Sequence, residues 1–153
     1  REYERFDQAR LTAVSADFQT AGRGTRDRSW EALRGQSVLV TFYFRFPMEC
    51  PTGFVNSNAP NVTKVLAFAV VKTLRWAASP DAPGGPPAAP RIGVKWPNDV
   101  VANGQKIAGV LARAVLSGSR LDGVIVGVGV NVNQSQADMH RISRPVWPAT
   151  SLR

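Results

Sequence analysis

Two apolar runs of this chain meet at Asn103-Gly104, and that dipeptide constrains the fold more than any other feature. A two-residue turn of type I′ needs positive φ at both central positions, which Asn followed by Gly tolerates best, so the flanking runs are expected to pair as an antiparallel hairpin. The register then sets Val101 opposite Lys106 and Asp99 opposite Ala108. Side chains alternate along each strand, so Asp99, Val101, Lys106 and Ala108 are expected on one face, with Asp99 and Lys106 as diagonal neighbours. Exposed, such a pair is an ordinary cross-strand ion pair worth under about 1 kcal/mol. Its company of Lys95 and Asn98 on the approach to the hairpin makes it a candidate for chemistry.

The other apolar stretches complete a sheet and a helix. LTAVSADFQ (11–19) and the β-branched and aromatic SVLVTFYFRF (37–46) read as strands, and RLDGVIVGVGVNVNQ (120–134) as a nearly all-apolar central strand. NVTKVLAFAVVKTLRWAA (61–78) places Val62, Val65, Leu66, Ala69, Val70 and Leu74 at helical spacing, with Asn58 or Asn61 as its cap. MECPTGFVNSNAP (48–60) reads as a loop. SPDAPGGPPAAP (79–90) holds five of the eleven prolines and reads as an irregular surface insertion. The tail, 135–153, shows no clear element. At 153 residues, 44% hydrophobic and 20% charged, the chain is expected to form one globular α/β domain.

The densest chemistry lies in FQTAGRGTRDRSW (18–30). Gly22 and Gly24 permit close backbone approach, Arg23, Arg26 and Arg28 supply planar cationic forks, and Trp30 offers a flat face. A net charge of +8 also favours an anionic partner. With Lys95, Asn98, Asp99 and Asn131, these residues make a parts list for nucleotide phosphates with Mg²⁺. Neither G-x-x-x-x-G-K-[ST] nor G-x-G-x-x-G is present. The single cysteine, Cys50, rules out an internal disulfide and has no histidine near it in sequence; the single histidine, His140, argues against His-rich metal sites. No apolar run reaches the ~20 residues of a membrane span.

In order, Q-T-A-G-R-G-x-R-x-R-x-W at 19–30, K-W-P-N-D at 95–99, K-I-A-G at 106–109, G-V-G-V-N-V-N at 127–133 and the terminal PATSL at 148–152 resemble the catalytic domain of biotin–protein ligases, within the biotin/lipoate ligase superfamily. The resemblance covers residues 11 to 153. It implies an α/β (α+β) fold with a mixed sheet backed by helices, like the class II aminoacyl-tRNA synthetase catalytic domain. It implies ATP, Mg²⁺ and biotin as ligands, and two steps: formation of biotinyl-5′-AMP, then transfer of biotin to a lysine of a carboxyl carrier domain of a biotin-dependent carboxylase.

Residue by residue, it implies that Lys106, Arg23 and Lys95 act at the reacting carboxylate and phosphate. Gln19, Gly22, Arg23, Gly24, Lys106 and Gly109 would bind biotin. Arg26, Arg28, Trp30, Lys95, Asn98 and Asn131 would hold ATP or the adenylate, and Asp99 would hold Mg²⁺. Trp96 and Pro97 are read as packing residues, and Gly127 and Gly129 as sites of close backbone packing. The family's Ser-Thr-Asn segment, which binds the ureido ring, is not found in REYERFDQAR (1–10), Thr25 replaces an arginine and Asp27 a common glycine. The expected unit is thus a 1–153 catalytic domain without that segment and without the small C-terminal domain. Lipoate or octanoate transfer and a non-catalytic nucleotide- or partner-binding relative are the alternatives. A cytoplasmic setting is expected, with an organelle and a homodimer left open, and nucleic acid or a membrane is not expected as partner.

Overall fold

The computed structural model describes residues 11–45, 52–141 and 148–152. Six strands form one sheet in the order β1-β2-β6-β5-β4-β3, with β1 Thr12–Ala16, β2 Ser37–Arg45, β3 Ile92–Lys95, β4 Asp99–Ala102, β5 Gln105–Ser117 and β6 Arg120–Asn131. Every strand pair is antiparallel, and the parallel element is the isolated bridge between Lys106 and Ala149. β6 lies between β2 and β5, the central place its nearly all-apolar sequence called for.

Helix α1, Thr52–Ala77, covers one face of the sheet. Its Ala67, Val71 and Leu74, with Ala78 just beyond, pack on Val124, Val126, Val128 and Val130 of β6 and Val100, Ala108 and Val110 of the hairpin. Alternation along β6 sends the valines to the helix and Ile125, Gly127, Gly129 and Asn131 to the other face. Arg75 near the helix end donates from Nη2 to the Ile92 carbonyl at 2.7 Å and ties α1 to edge strand β3.

Three expectations are corrected here. Residues 52–60 are helix rather than loop, and Asn58 and Asn61 lie inside α1 rather than capping it. Gly53, Asn56, Ser57, Asn58 and Pro60 are weak helix formers, which is why the segment reads as loop from sequence. Residues 48–51 of the expected loop, and Cys50 with them, lie outside the described residues. The tail forms a short helix α2, Gln136–Arg141, started by Ser135, whose backbone N–H and hydroxyl both donate to the Asp138 carboxylate. Trp96 is not a packing residue: it is 67% exposed, and the Lys64 ammonium lies 4.8 Å from its ring centre. The proline-rich stretch 79–90 has no helix or strand, as expected.

Candidate active site

The face of the sheet away from α1 carries a cavity of about 870 Å³. Its floor follows from register. Asp99 of β4 pairs with Gly109 of β5, Gly109 with Gly129 of β6, and Gly129 with Leu39 of β2, giving one row across four strands. The next row is Leu111, Gly127 and Thr41, and the one after is Arg113, Ile125 and Tyr43. Except for Tyr43, all of these residues line the cavity.

The hairpin turn is as expected, with φ of 49° at Asn103 and 82° at Gly104, and Val101 faces Lys106. Beyond that pair the register shifts: a bulge between Val100 and Val101 puts Asp99 opposite Gly109 and Val100 opposite Ala108. The extra residue reverses the alternation, so Ala108 is fully buried under α1 rather than sharing the face of Asp99. Asp99 and Lys106 nevertheless meet. Lys106 Nζ lies 2.8 Å from Asp99 Oδ1, and Lys95 Nζ 3.9 Å from Oδ2. The tail locks this strand end, because Lys106 N–H donates to the Pro148 carbonyl at 2.7 Å and Thr150 N–H to the Lys106 carbonyl at 2.9 Å.

Residues 22–30 form a small hairpin over the floor. Trp30 N–H donates to Gly22 O, Gly24 N–H to Arg28 O, and Arg23 bridges Ser29. The positive φ falls at the tip, on Arg26 (57°) and Asp27 (59°), not on Gly22 or Gly24. Those glycines are required for closeness instead: a Cβ on Gly22 would strike the Trp30 carbonyl, and one on Gly24 would lie 3.2 Å from the Arg28 carbonyl. Arg28 braces the tip from within, its Nη2 donating to Thr25 Oγ1 at 2.7 Å and Nε to Thr25 O at 2.9 Å.

Trp30 descends from this hairpin onto the floor. A Cβ on Gly129 would lie 2.5 Å from its ring, and one on Gly109 3.1 Å, so the paired glycines form the seat of the indole. Gly129 thus serves side-chain packing, not only the strand-to-strand closeness expected of it. Lys106 Nζ stands 5.5 Å from the indole centre. The indole Nε1–H is buried with no hydrogen-bond partner, a donor held in reserve inside the site.

Of the predicted residues, Gln19, Arg23, Gly24, Arg28, Trp30, Lys95, Asn98, Asp99, Lys106, Gly109 and Asn131 line the cavity; Gly22 and Arg26 do not. Asn131 is 3% exposed, and its amide is engaged by the protein, donating to Thr150 O at 3.0 Å and accepting from Gln134 Nε2 at 3.4 Å. The donor set does not fit a protein-held Mg²⁺. Each oxygen of Asp99 already faces an ammonium, and among the described residues no three His, Cys, Asp or Glu side chains gather to hold a metal. Sequence reasoning missed Thr41, Leu111, Ile125 and Arg113. The signal was present in the last three, a period of two along β5 and β6 from Gly109 and Gly129, but the bulge hid which face they share.

The biotin/lipoate A/B protein ligase family model matches residues 4–131. The chain belongs to this family. Similar family members include the bifunctional ligase/repressor BirA of Bacillus subtilis strain 168, 34% identical over 129 residues, 83% of this chain and 34% of that protein. The biotin–[acetyl-CoA-carboxylase] ligase of Paracoccus denitrificans is 37% identical over 119 residues, 78% of this chain and 43% of that one. The chain spans less than half the length of each of these two relatives. Among solved structures, biotin protein ligase from Leishmania major in complex with biotinyl-5-AMP superposes with a TM-score of 0.59 at 26% identity, over 93% of this chain and 53% of that one. The α/β fold expected from the resemblance, with the class II synthetase-like sheet backed by helix, is the fold of this family domain. Among its described residues, no helix is long and apolar enough to cross a membrane.

Proposed function

We propose that this family domain is the catalytic unit of an ATP-dependent biotin–protein ligase. One observation carries the reading: the Lys106 ammonium, fixed by Asp99 at 2.8 Å and by the tail, stands over the Gly109–Gly129 seat beneath an arginine-bearing hairpin. A ligase must bring two anions together, a carboxylate and a triphosphate, and cations fixed in advance lower that cost without reorganising during the reaction.

In the first step the biotin carboxylate oxygen attacks the α-phosphorus of ATP, and the bond to the bridging oxygen breaks, releasing pyrophosphate. Lys106 neutralises the carboxylate and then the α-phosphate, while Lys95, Arg23 and Arg28 take charge developing on the leaving group. Magnesium enters with ATP as part of that substrate. In the second step a neutral carrier lysine amine attacks the acyl carbon, the acyl–phosphate bond breaks, AMP leaves, and the amine sheds its proton. Neither step requires a histidine. The hairpin 22–30 shields the mixed anhydride from water. Gln19 and Gly109 line the acid's path, with Gly22 and Gly24 letting the loop backbone come close to it. Trp30 and Asn98 face the nucleotide, and the free Nε1–H of Trp30 is a donor for it. Arg26, outside the lining, reaches the phosphates once the hairpin folds inward. Asn131 acts by anchoring the tail that braces Lys106. A carboxyl carrier domain as acceptor and a cytoplasmic setting belong to the same reading.

The test is acid-dependent ATP–pyrophosphate exchange, with biotin and lipoate as parallel substrates. Exchange with biotin that is abolished by Lys106→Ala supports the reading. Exchange with lipoate alone would move the chain to the other branch of the family, and none with either acid would leave a non-catalytic relative.

A further inference from the structure

Arg113 is a cation that the reaction above does not use. It lies on β5 in the third floor row, paired across the strands with Ile125, and lines the cavity. Among the described residues its guanidinium has no ion pair or hydrogen bond. The other lining cations gather elsewhere. Lys106 Nζ stands over the first row, 3.6 Å from where a Cβ on Gly109 would be, with Lys95 beside Asp99, while Arg23 and Arg28 sit in the hairpin above. Between these groups and Arg113 lies the second row, Leu111, Gly127 and Thr41, which is largely apolar. Two rows of antiparallel strand separate the Gly109 and Arg113 backbones by ~13 Å.

A floor with an ammonium at one end, apolar residues in the middle and a guanidinium at the other suits a bipolar acid. Such an acid has a carboxylate, an aliphatic middle and a second hydrogen-bond acceptor at its far end. We infer that Arg113 is a specificity-determining residue that donates to a neutral carbonyl in the head group of the acid, the ureido carbonyl on the reading proposed above. The guanidinium is planar and always charged, so it offers two parallel donors to a carbonyl oxygen that an acid with a purely sulfur or hydrocarbon head does not possess. A site built around such a donor rejects the analogue that leaves it unpaired.

The inference rests on the ligase reading, and the experiment separates the two. Biotin-dependent pyrophosphate exchange is measured on the whole chain as wild type, Arg113→Ala and Arg113→Lys, with KM determined separately for biotin and for ATP. Loss of a hydrogen bond from a charged donor is expected to raise the biotin KM by about ten- to hundredfold in Arg113→Ala. The ATP KM should stay within about twofold, and Arg113→Lys should recover part of the biotin affinity. Arg113 is exposed, so the alanine variant is expected to fold, and far-ultraviolet circular dichroism checks this. An unchanged biotin KM, or biotin and ATP KM values that rise together, would overturn the assignment. Absence of exchange in the wild type would instead refute the ligase reading, and the role of Arg113 with it.

Discussion

The seat of Trp30 makes a prediction whose size can be read from the coordinates. A methyl group at Gly129 would lie 2.5 Å from Cε2 of the indole, 2.7 Å from Cζ2 and 2.9 Å from Nε1. Ordinary contact begins at 3.4 Å, so the ring in Gly129→Ala must retreat by about 0.9 Å from a place where Lys106 already stands 5.5 Å from its centre. Overpacking of this kind costs about 1–3 kcal/mol. The alanine carries no such penalty where the indole is absent, and replacing a strand glycine then brings a small gain through reduced freedom of the unfolded chain. Urea unfolding of four proteins (wild type, Gly129→Ala, Trp30→Ala and the double variant) isolates the pairwise contribution. The expected result is a loss of about 1–3 kcal/mol for Gly129→Ala in the wild-type background and less than about 0.5 kcal/mol on Trp30→Ala. Equal losses in both backgrounds would mean that the indole does not rest on Gly129, and the geometry given for the floor would be wrong.

Asp99→Asn removes the negative charge 2.8 Å from Lys106 and is expected to lower exchange at least about tenfold while leaving the Mg²⁺ concentration dependence unmoved; a shifted Mg²⁺ dependence would restore Asp99 as a metal ligand. Asp27→Gly relieves a positive φ of 59° on a non-glycine residue and is expected to stabilise the domain by up to about 1 kcal/mol in chemical unfolding; a destabilised variant would mean the tip conformation costs Asp27 nothing. Asn131→Ala strips the Thr150 carbonyl of its buried donor, and a loss of about 1–3 kcal/mol is expected, with faster amide exchange at Thr150, whose N–H pairs with Lys106.

What could be read from sequence was what local chemistry dictates. Asn103-Gly104 announced its turn because few other residue pairs accept two positive φ values, and the valines and glycines of 124–130 announced a central strand because a nearly unbroken apolar run cannot face water on a sheet edge. The bulge at Val100–Val101 was illegible, since an extra residue in one strand shows only when both strands are paired. It changed the partner of Asp99 from Ala108 to Gly109 yet left Asp99 touching Lys106, because a long lysine side chain spans the shift. The start of α1 was misread because Asn56, Ser57, Asn58 and Pro60 punctuate turns when seen alone. The seat of Trp30 joins positions 30, 109 and 129, and the row that holds Arg113 joins positions 43, 113 and 125 on three strands. Both are products of tertiary register, on which local pattern is silent.

Whether Lys106 and its surroundings form an adenylate is decided by incubating the chain with biotin and MgATP and identifying the bound product by mass spectrometry. Biotinyl-5′-AMP is expected to be retained on the wild-type protein and to be absent from Lys106→Ala. A lipoyl or octanoyl adenylate formed in preference, or ATP and biotin recovered intact, would contradict the ligase reading.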